Sequence, residues 1–170
     1  MKELKHLGAY GIIIKNDQIL LIKKVSGPYD GKLDLPGGTI EFKETPEEAL
    51  KRELKEETGL EITKYNLFDA NSVTVNWKYK NEDIITHHIG IFYKITKYKN
   101  KIKENIDIDE INDDSLGADF YKISELTKKD LSSITILELE KLGYKTNTPW
   151  QFLKKVLLYT NTNWRRNNEK

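Results

Sequence analysis

Residues 38–60 read GTIEFKETPEEALKRELKEETGL, and this stretch decides more about the fold than any other part of the chain. Thr45 is a natural helix N-cap, Pro46 suits the first helical position, and Glu48 falls where it completes a capping box. Ala49, Leu50 and Leu54 supply an apolar stripe, Gly59 stands where a left-handed C-cap is expected, and Leu60 returns the chain to the core. The spacing predicts a helix over 46–58. At about 100° per residue, Leu50 and Leu54 lie beside the sector that holds Glu53 and Glu57. The acids therefore sit at the rim of a packed interface, held firmly but within reach of a ligand.

The same helix concentrates charge where an isolated helix would avoid it. Glu53, Glu56 and Glu57 share one face, and like charges at such spacing cost a few tenths of a kcal/mol per pair. The cluster becomes favourable when a hard divalent cation sits among the carboxylates, because such ions take oxygen ligands. Gly37 and Gly38 just upstream let the main chain come close to an ion. Arg52 can hold a carboxylate in a planar fork, and Glu56 stands one turn on.

Gly38, Glu44, Arg52-Glu53-Leu54, Glu56-Glu57 and Gly59-Leu60 together resemble the signature box of the Nudix hydrolases, and Leu35-Pro36-Gly37-Gly38 before it also matches that family. The resemblance implies an α/β fold, the Nudix α/β/α sandwich with a mixed sheet, here with an extra C-terminal helix. It implies Mg2+ or Mn2+ as cofactor, with Glu56 and Glu57 as metal ligands. Glu53 would be a ligand or the group that takes a proton from water, and the Gly38 carbonyl a further ligand. Arg52 would position these carboxylates, and Gly37, Glu44 and Gly59 would be structural or outer-shell. A phosphoanhydride needs its charge neutralised, a water activated and a leaving phosphate stabilised, which carboxylate-held metal ions provide. The expected reaction is therefore hydrolysis of a nucleoside triphosphate, or of a nucleoside diphosphate linked to another moiety, by water attack at phosphorus.

Composition is consistent with this. The 170 residues suit one domain, expected over 1–160 with a polar tail at 161–170. Lys and Arg number 28 against 27 Asp and Glu, a net charge of +1, so no global field favours nucleic acid, and a small-molecule nucleotide is the expected partner. The absence of cysteine excludes disulfides, thiolate zinc sites and cysteine nucleophiles. The start of the sequence lacks the apolar run of a signal peptide, and no stretch approaches a membrane span, so the cytoplasm is the expected location and no membrane partner is expected. A homodimer is compatible with the sequence.

Around the box, Ala9–Ile14 and Gln18–Val25 read as a hairpin turned at Lys15-Asn16-Asp17. Leu33–Leu35 and Thr39–Phe42 read as short extended pieces, and Ile62–Phe68, Ser72–Tyr79 and Ile84–Thr96 as strands. Tyr98–Ala118 reads as a long polar loop, Asp119–Ile123 as a last strand and Ser133–Leu142 as a helix closed by Gly143. Thr148-Pro149 begins another helix with Trp150, Leu153, Val156 and Leu157 on one side.

Substrate contacts are less marked. Trp77 and Tyr79 can stack on a base, although alternating strand aromatics more often fill a core. His87 and His88 must point to opposite faces of their strand, so one of them can reach a ligand. The acids Glu104, Asp107, Asp109, Glu110, Asp113 and Asp114 break calcium-loop spacing at Ile111 and Leu116, yet any one of them could complete the metal site as late-loop acids do in many relatives. Substrate markers of individual Nudix branches are missing. No cysteine zinc module of the NADH-cleaving kind is present, Val75 and Asn76 stand at the ADP-ribose proline spacing, and Trp77 occupies the vicinity of the dinucleoside-polyphosphate tyrosine. The alternative to an enzyme is a Nudix-fold sensor or interaction module that binds a nucleotide without cleaving it. Such modules usually lose box carboxylates, and all are kept here.

Overall fold

A computed structural model describes residues 1–103 and 115–144. The helix of the box, α1 (Pro46–Thr58), runs over the residues its caps predict. Thr45 Oγ1 accepts from the Glu48 amide at 3.2 Å, and the Thr45 amide donates to Glu48 Oε2 at 2.8 Å, a closed capping box worth about 1 kcal/mol. Gly59 ends the helix at φ 76°, and its amide donates to the Lys55 carbonyl at 3.0 Å.

Among the described residues, eight strands form two four-stranded sheets. In the first, β1 (Lys2–Ile12) lies between β5 (Gly37–Thr39) and β7 (Glu82–Lys99), and β6 (Glu61–Tyr79) closes the far edge. This sheet is mixed: β1 runs parallel to β7, whereas β5 and β6 pair antiparallel. The second sheet is antiparallel and centres on β3 (Gln18–Lys24), which pairs with β2 (Ile14–Lys15), β4 (Leu33–Asp34) and β8 (Ser115–Lys122). Alternation along the strands distributes side chains to two cores. Ala9, Leu20 and Tyr93 join Ala49, Leu50 and Leu54 of α1. Tyr10, Leu21 and Phe92 join Ile134, Ile136 and Leu139 of a second helix, α2 (Ser133–Lys141). The strands thus lie between two helical layers, an α/β/α arrangement. Leu54 is fully buried, and truncating such a leucine to alanine costs about 2–5 kcal/mol.

Several boundaries differ from the sequence reading, for physical reasons. The expected hairpin pairs only at its tip: Ile14 and Lys15 face Ile19 and Gln18, with Asn16 and Asp17 both at positive φ, while β1 belongs to the other sheet. β1 also begins at Lys2 rather than Ala9, because parallel pairing from Lys2↔Ile84 onward carries its polar half. Thr39–Phe42 does not form the extended piece. The strand is Gly37–Thr39, paired through backbone alone to Tyr10, Ala9 and Gly8, and Phe42 is exposed. The two strands expected over 62–79 are one, β6, which continues through polar Asp69 and Asn71 past a register shift between Leu67 and Asp69. β7 extends to Lys99 and β8 starts at Ser115, which shortens the expected loop. The remainder of that loop, residues 104–114 with the six late acids, lies outside the described residues, as do the expected helix from Pro149, Trp150 and the polar tail.

α2 packs on β6 and β4, with Ser132 as its N-cap. It carries Glu138, which is buried beside Asp69 and Asn71 with no well-formed hydrogen bond to either carboxyl oxygen. Burial, reinforced by the charge of Asp69, pushes its pKa up from 4.5 to about 7. The folded state therefore holds a proton that the unfolded state has released between those values, and stability falls as pH rises through that window. Glu138→Gln is expected to raise the melting temperature relative to the parent by an amount that grows from about pH 5 to about pH 7 and then levels. Thermal denaturation of both proteins across that range checks it, and a pH-independent difference would contradict it.

Candidate active site

A cleft of about 530 Å3 opens between the rim of α1 and the first sheet. Glu53, Glu56 and Glu57 line it together with Gly37, Gly38 and Thr39 of β5, and with Lys24 and Asp34 of the second sheet. Gly37 sits at φ 139°, and a Cβ there would stand 2.2 Å from the Ala9 carbonyl oxygen, so only glycine lets β5 lie against β1. That placement aims the Gly37 amide at α1, where it donates to Glu57 Oε2 at 2.8 Å. Gly38 is also tightly placed, since a Cβ there would be 2.6 Å from Glu53 Oε1.

Arg52 organises the acids from outside the cleft. Its Nε and Nη2 donate to the two oxygens of Glu44, both at 2.9 Å. Nη1 donates to Glu53 Oε1 at 2.8 Å and to Glu56 Oε2 at 3.3 Å, and Nη2 also donates to the Thr39 carbonyl at 2.9 Å. The fork thus serves Glu44 and Glu56 at once, and Glu53 besides. Hydrogen bonds from Arg52 hold the Glu44 carboxyl down at about 2, so it stays ionised. Burial works the other way in the cleft, raising Glu53, and raising Glu57 to about 8 despite the bond from Gly37.

These groups can hold a hard divalent cation. The donors are all oxygen: three carboxylates and the Gly38 carbonyl. Glu57 is 6% exposed, and a carboxylate so buried ionises readily only beside positive charge. The missing Cβ of Gly38 leaves room next to Glu53. Among the described residues no three acidic or imidazole side chains already converge as a ligand cluster. Arg52 draws Glu53 and Glu56 toward itself, which accounts for that spread.

Of the other expected contacts, Trp77 and His88 line the cleft, whereas Tyr79 and His87 do not. Tyr79 lies two residues beyond Trp77, near the end of β6, and is 55% exposed. His87 points to the face opposite His88, as strand alternation requires. Gly59 caps α1 and takes no part in the cleft.

The cleft also contains residues that the sequence reading did not single out: His6, Tyr10, Lys24, Tyr29 and Asp34. Tyr10 and Asp34 left a signal, a polar tip in an apolar strand and a lone acid between Leu33 and Leu35. Asp34 is buried, and its Oδ1 accepts from Ser132 Oγ at 2.6 Å, Thr135 Oγ1 at 3.0 Å and the Leu35 amide at 2.8 Å, which ties β4 to the start of α2. Lys24 places a positive charge near Asp34, Glu53 and Glu57, lowering the cost of ionising each. Among the described residues no helix is long and apolar enough to cross a membrane.

Comparison with known proteins agrees with this arrangement. The chain is 36% identical over 118 residues to an ADP-ribose pyrophosphatase of Methanocaldococcus jannaschii, a match covering 69% of this chain but only 62% of the archaeal protein. It is 31% identical over 105 residues to an 8-oxo-dGTP diphosphatase of Proteus vulgaris, covering 61% of this chain and 86% of that protein. A crystal structure of a MutT NUDIX hydrolase from Burkholderia pseudomallei shares the fold, with a TM-score of 0.62 over 81% of this chain and 98% of that one, at 22% identity. The model of the NUDIX domain matches residues 5–137, a span that takes in both sheets, α1 and most of α2. With the box on α1 and the glycines of β5 set against it, the chain belongs to the NUDIX domain family.

Proposed function

We propose that this protein is a divalent-metal-dependent pyrophosphohydrolase that cleaves the phosphoanhydride of a nucleoside triphosphate or of a nucleoside diphosphate linked to another group. One observation carries the reading. Glu53, Glu56, Glu57 and Gly38 share a single cleft with an aromatic and imidazole end at Tyr10, Tyr29, Trp77 and His88. The first group suits the phosphates and the second a nucleoside. The names of relatives, an ADP-ribose pyrophosphatase and an 8-oxo-dGTP diphosphatase, support the reaction class and differ in substrate.

Glu53, Glu56, Glu57 and the Gly38 carbonyl would hold Mg2+ or Mn2+, which when bound offsets phosphate charge and lowers the pKa of water. Glu53, which Arg52 Nη1 holds at 2.8 Å, would serve either among those ligands or as the group that takes the proton of the attacking water. As water's oxygen bonds to phosphorus, the bridging P–O bond breaks and its electrons leave with the departing phosphate. The products are a nucleoside monophosphate and a phosphorylated remainder, or pyrophosphate from a triphosphate. Lys24, whose charge acts on Asp34, Glu53 and Glu57 in the same cleft, would offset charge on the phosphate chain. Arg52 holds Glu44, Glu53 and Glu56 in place without lining the cleft.

Turnover of a panel of triphosphates, nucleotide sugars and dinucleotides tests the reading. With Mg2+ or Mn2+ present and phosphatase coupling for detection, at least one class is expected to release phosphate. Silence across the panel with both ions would favour a nucleotide-binding module that does not cleave.

A further inference from the structure

The mechanism above makes no use of a hydrogen-bonded chain of four side chains in the same cleft. His6 Nε2 lies 2.8 Å from the Tyr10 hydroxyl, which lies 2.7 Å from His88 Nε2, and His88 Nδ1 lies 3.1 Å from the Tyr29 hydroxyl. The packing around it is specific. A Cβ on Gly8 would stand 2.5 Å from the Tyr10 hydroxyl and 2.8 Å from the Gly38 carbonyl oxygen, so a side chain at residue 8 would displace one or both. His6 meets His88 edge to face at 4.6 Å, and Tyr10 stacks on Phe92 at 5.6 Å.

His88 is 3% exposed, and burial holds its pKa down at about 3, so the ring is neutral. A neutral imidazole has one N–H and one bare nitrogen, and both nitrogens here face a tyrosine hydroxyl. The two tyrosines must therefore take opposite roles. If His88 Nε2–H donates to Tyr10, Tyr10 donates to His6, Tyr29 donates to His88 Nδ1, and the Tyr29 oxygen offers the cleft only an acceptor. In the other tautomer, His6 donates to Tyr10, Tyr10 to His88 Nε2, and His88 Nδ1–H to the Tyr29 oxygen. The Tyr29 O–H is then released to the cleft as a donor. Among the described residues the Tyr29 hydroxyl has His88 as its sole hydrogen-bond partner, which leaves this second capacity for a ligand.

The chain lies at the end of the cleft with Pro28 and Trp77. The indole N–H of Trp77 is already spent on Thr86 Oγ1 at 2.9 Å, so the ring offers apolar surface only. The four side chains of the chain are uncharged, the buried acid Asp34 acts on Tyr10 and Tyr29 and would repel an anion, and Lys5 is exposed at the rim. A flat, neutral ligand with both donors and acceptors on its edge fits such a wall; a second phosphate does not. We infer that Tyr29 reads the heterocyclic base of a bound nucleotide, and that the His6–Tyr10–His88–Tyr29 chain lets its hydroxyl meet either a donor or an acceptor on the base edge. This rests on the nucleotide reading above but not on turnover.

Calorimetric titration of the full chain with AMP, IMP and ribose 5-phosphate tests it without hydrolysis. Both nucleotides are expected to bind more tightly than ribose 5-phosphate, with AMP and IMP within about tenfold of each other, because either polarity is available. Tyr29→Phe should weaken both nucleotides about five- to tenfold and leave ribose 5-phosphate unchanged. Tyr10→Phe cuts the chain one step away. A bare buried nitrogen is tolerated better than an orphaned N–H, so His88 would keep its proton on Nδ1 and Tyr29 would become a fixed donor. The IMP/AMP affinity ratio should then shift several-fold toward the keto base, an effect that general loosening would not produce. Nucleotides binding no better than ribose 5-phosphate would overturn the inference. So would Tyr29→Phe binding like the parent or weakening all three ligands alike, or an unchanged IMP/AMP ratio in Tyr10→Phe.

Discussion

Glu57→Gln is expected to lower turnover by two to three orders of magnitude, a loss of about 3–4 kcal/mol in stabilisation of the transition state. The amide keeps the shape of the side chain, and its carbonyl oxygen can still accept from the Gly37 amide, which Glu57 now does at 2.8 Å. What it loses is the negative charge that a divalent ion needs. The fold should survive, and the pH dependence shows why. With the metal-free carboxyl raised from 4.5 to about 8, the folded protein holds a proton that the unfolded chain has given up, so stability drains away as pH climbs between those values. Glutamine has no charge to bury, so the metal-free variant should melt no lower than the parent at about pH 8. Steady-state rates with Mg2+ and Mn2+, read beside thermal melts, check both halves. Parental rates in the variant would remove Glu57 from the site.

Arg52→Lys should cost about 100-fold in turnover although the charge is kept. The guanidinium makes two parallel bonds to Glu44 at 2.9 Å while a third nitrogen direction reaches Glu53 at 2.8 Å. A lysine ammonium is a single point with no planar fork, and it cannot reproduce that geometry. Arg52 does not line the cleft, so the loss should appear in kcat and in the metal concentration needed for half-maximal rate, with KM for the nucleotide nearly unchanged. A rise confined to KM would place Arg52 on the substrate instead.

Part of this site was legible in the residues. The capping box, the C-cap at Gly59 and the shared face of Glu53, Glu56 and Glu57 all depend on neighbours within one helical turn, where spacing in sequence is spacing in space. The alternation that fills two cores has the same local origin. β5 was harder to see because its strand signal is two glycines, and what they contribute is an approach of backbone to backbone. The continuity of β6 across Asp69 and Asn71 was hidden for a related reason: the ladder to β7 needs amides and carbonyls, not apolar side chains.

The chain's own order of residues determined one helix, its acid cluster and the reaction class those acids suit, because each is set by short-range geometry. The opposite wall of the cleft was decided only by folding. Tyr10 meets His88 across 78 positions and Tyr29 meets it across 59, through parallel pairing of β1 with β7 and the turn that begins at Gly27. No local pattern encodes such meetings. They follow from which strands lie side by side, and that is settled by burying the two cores together.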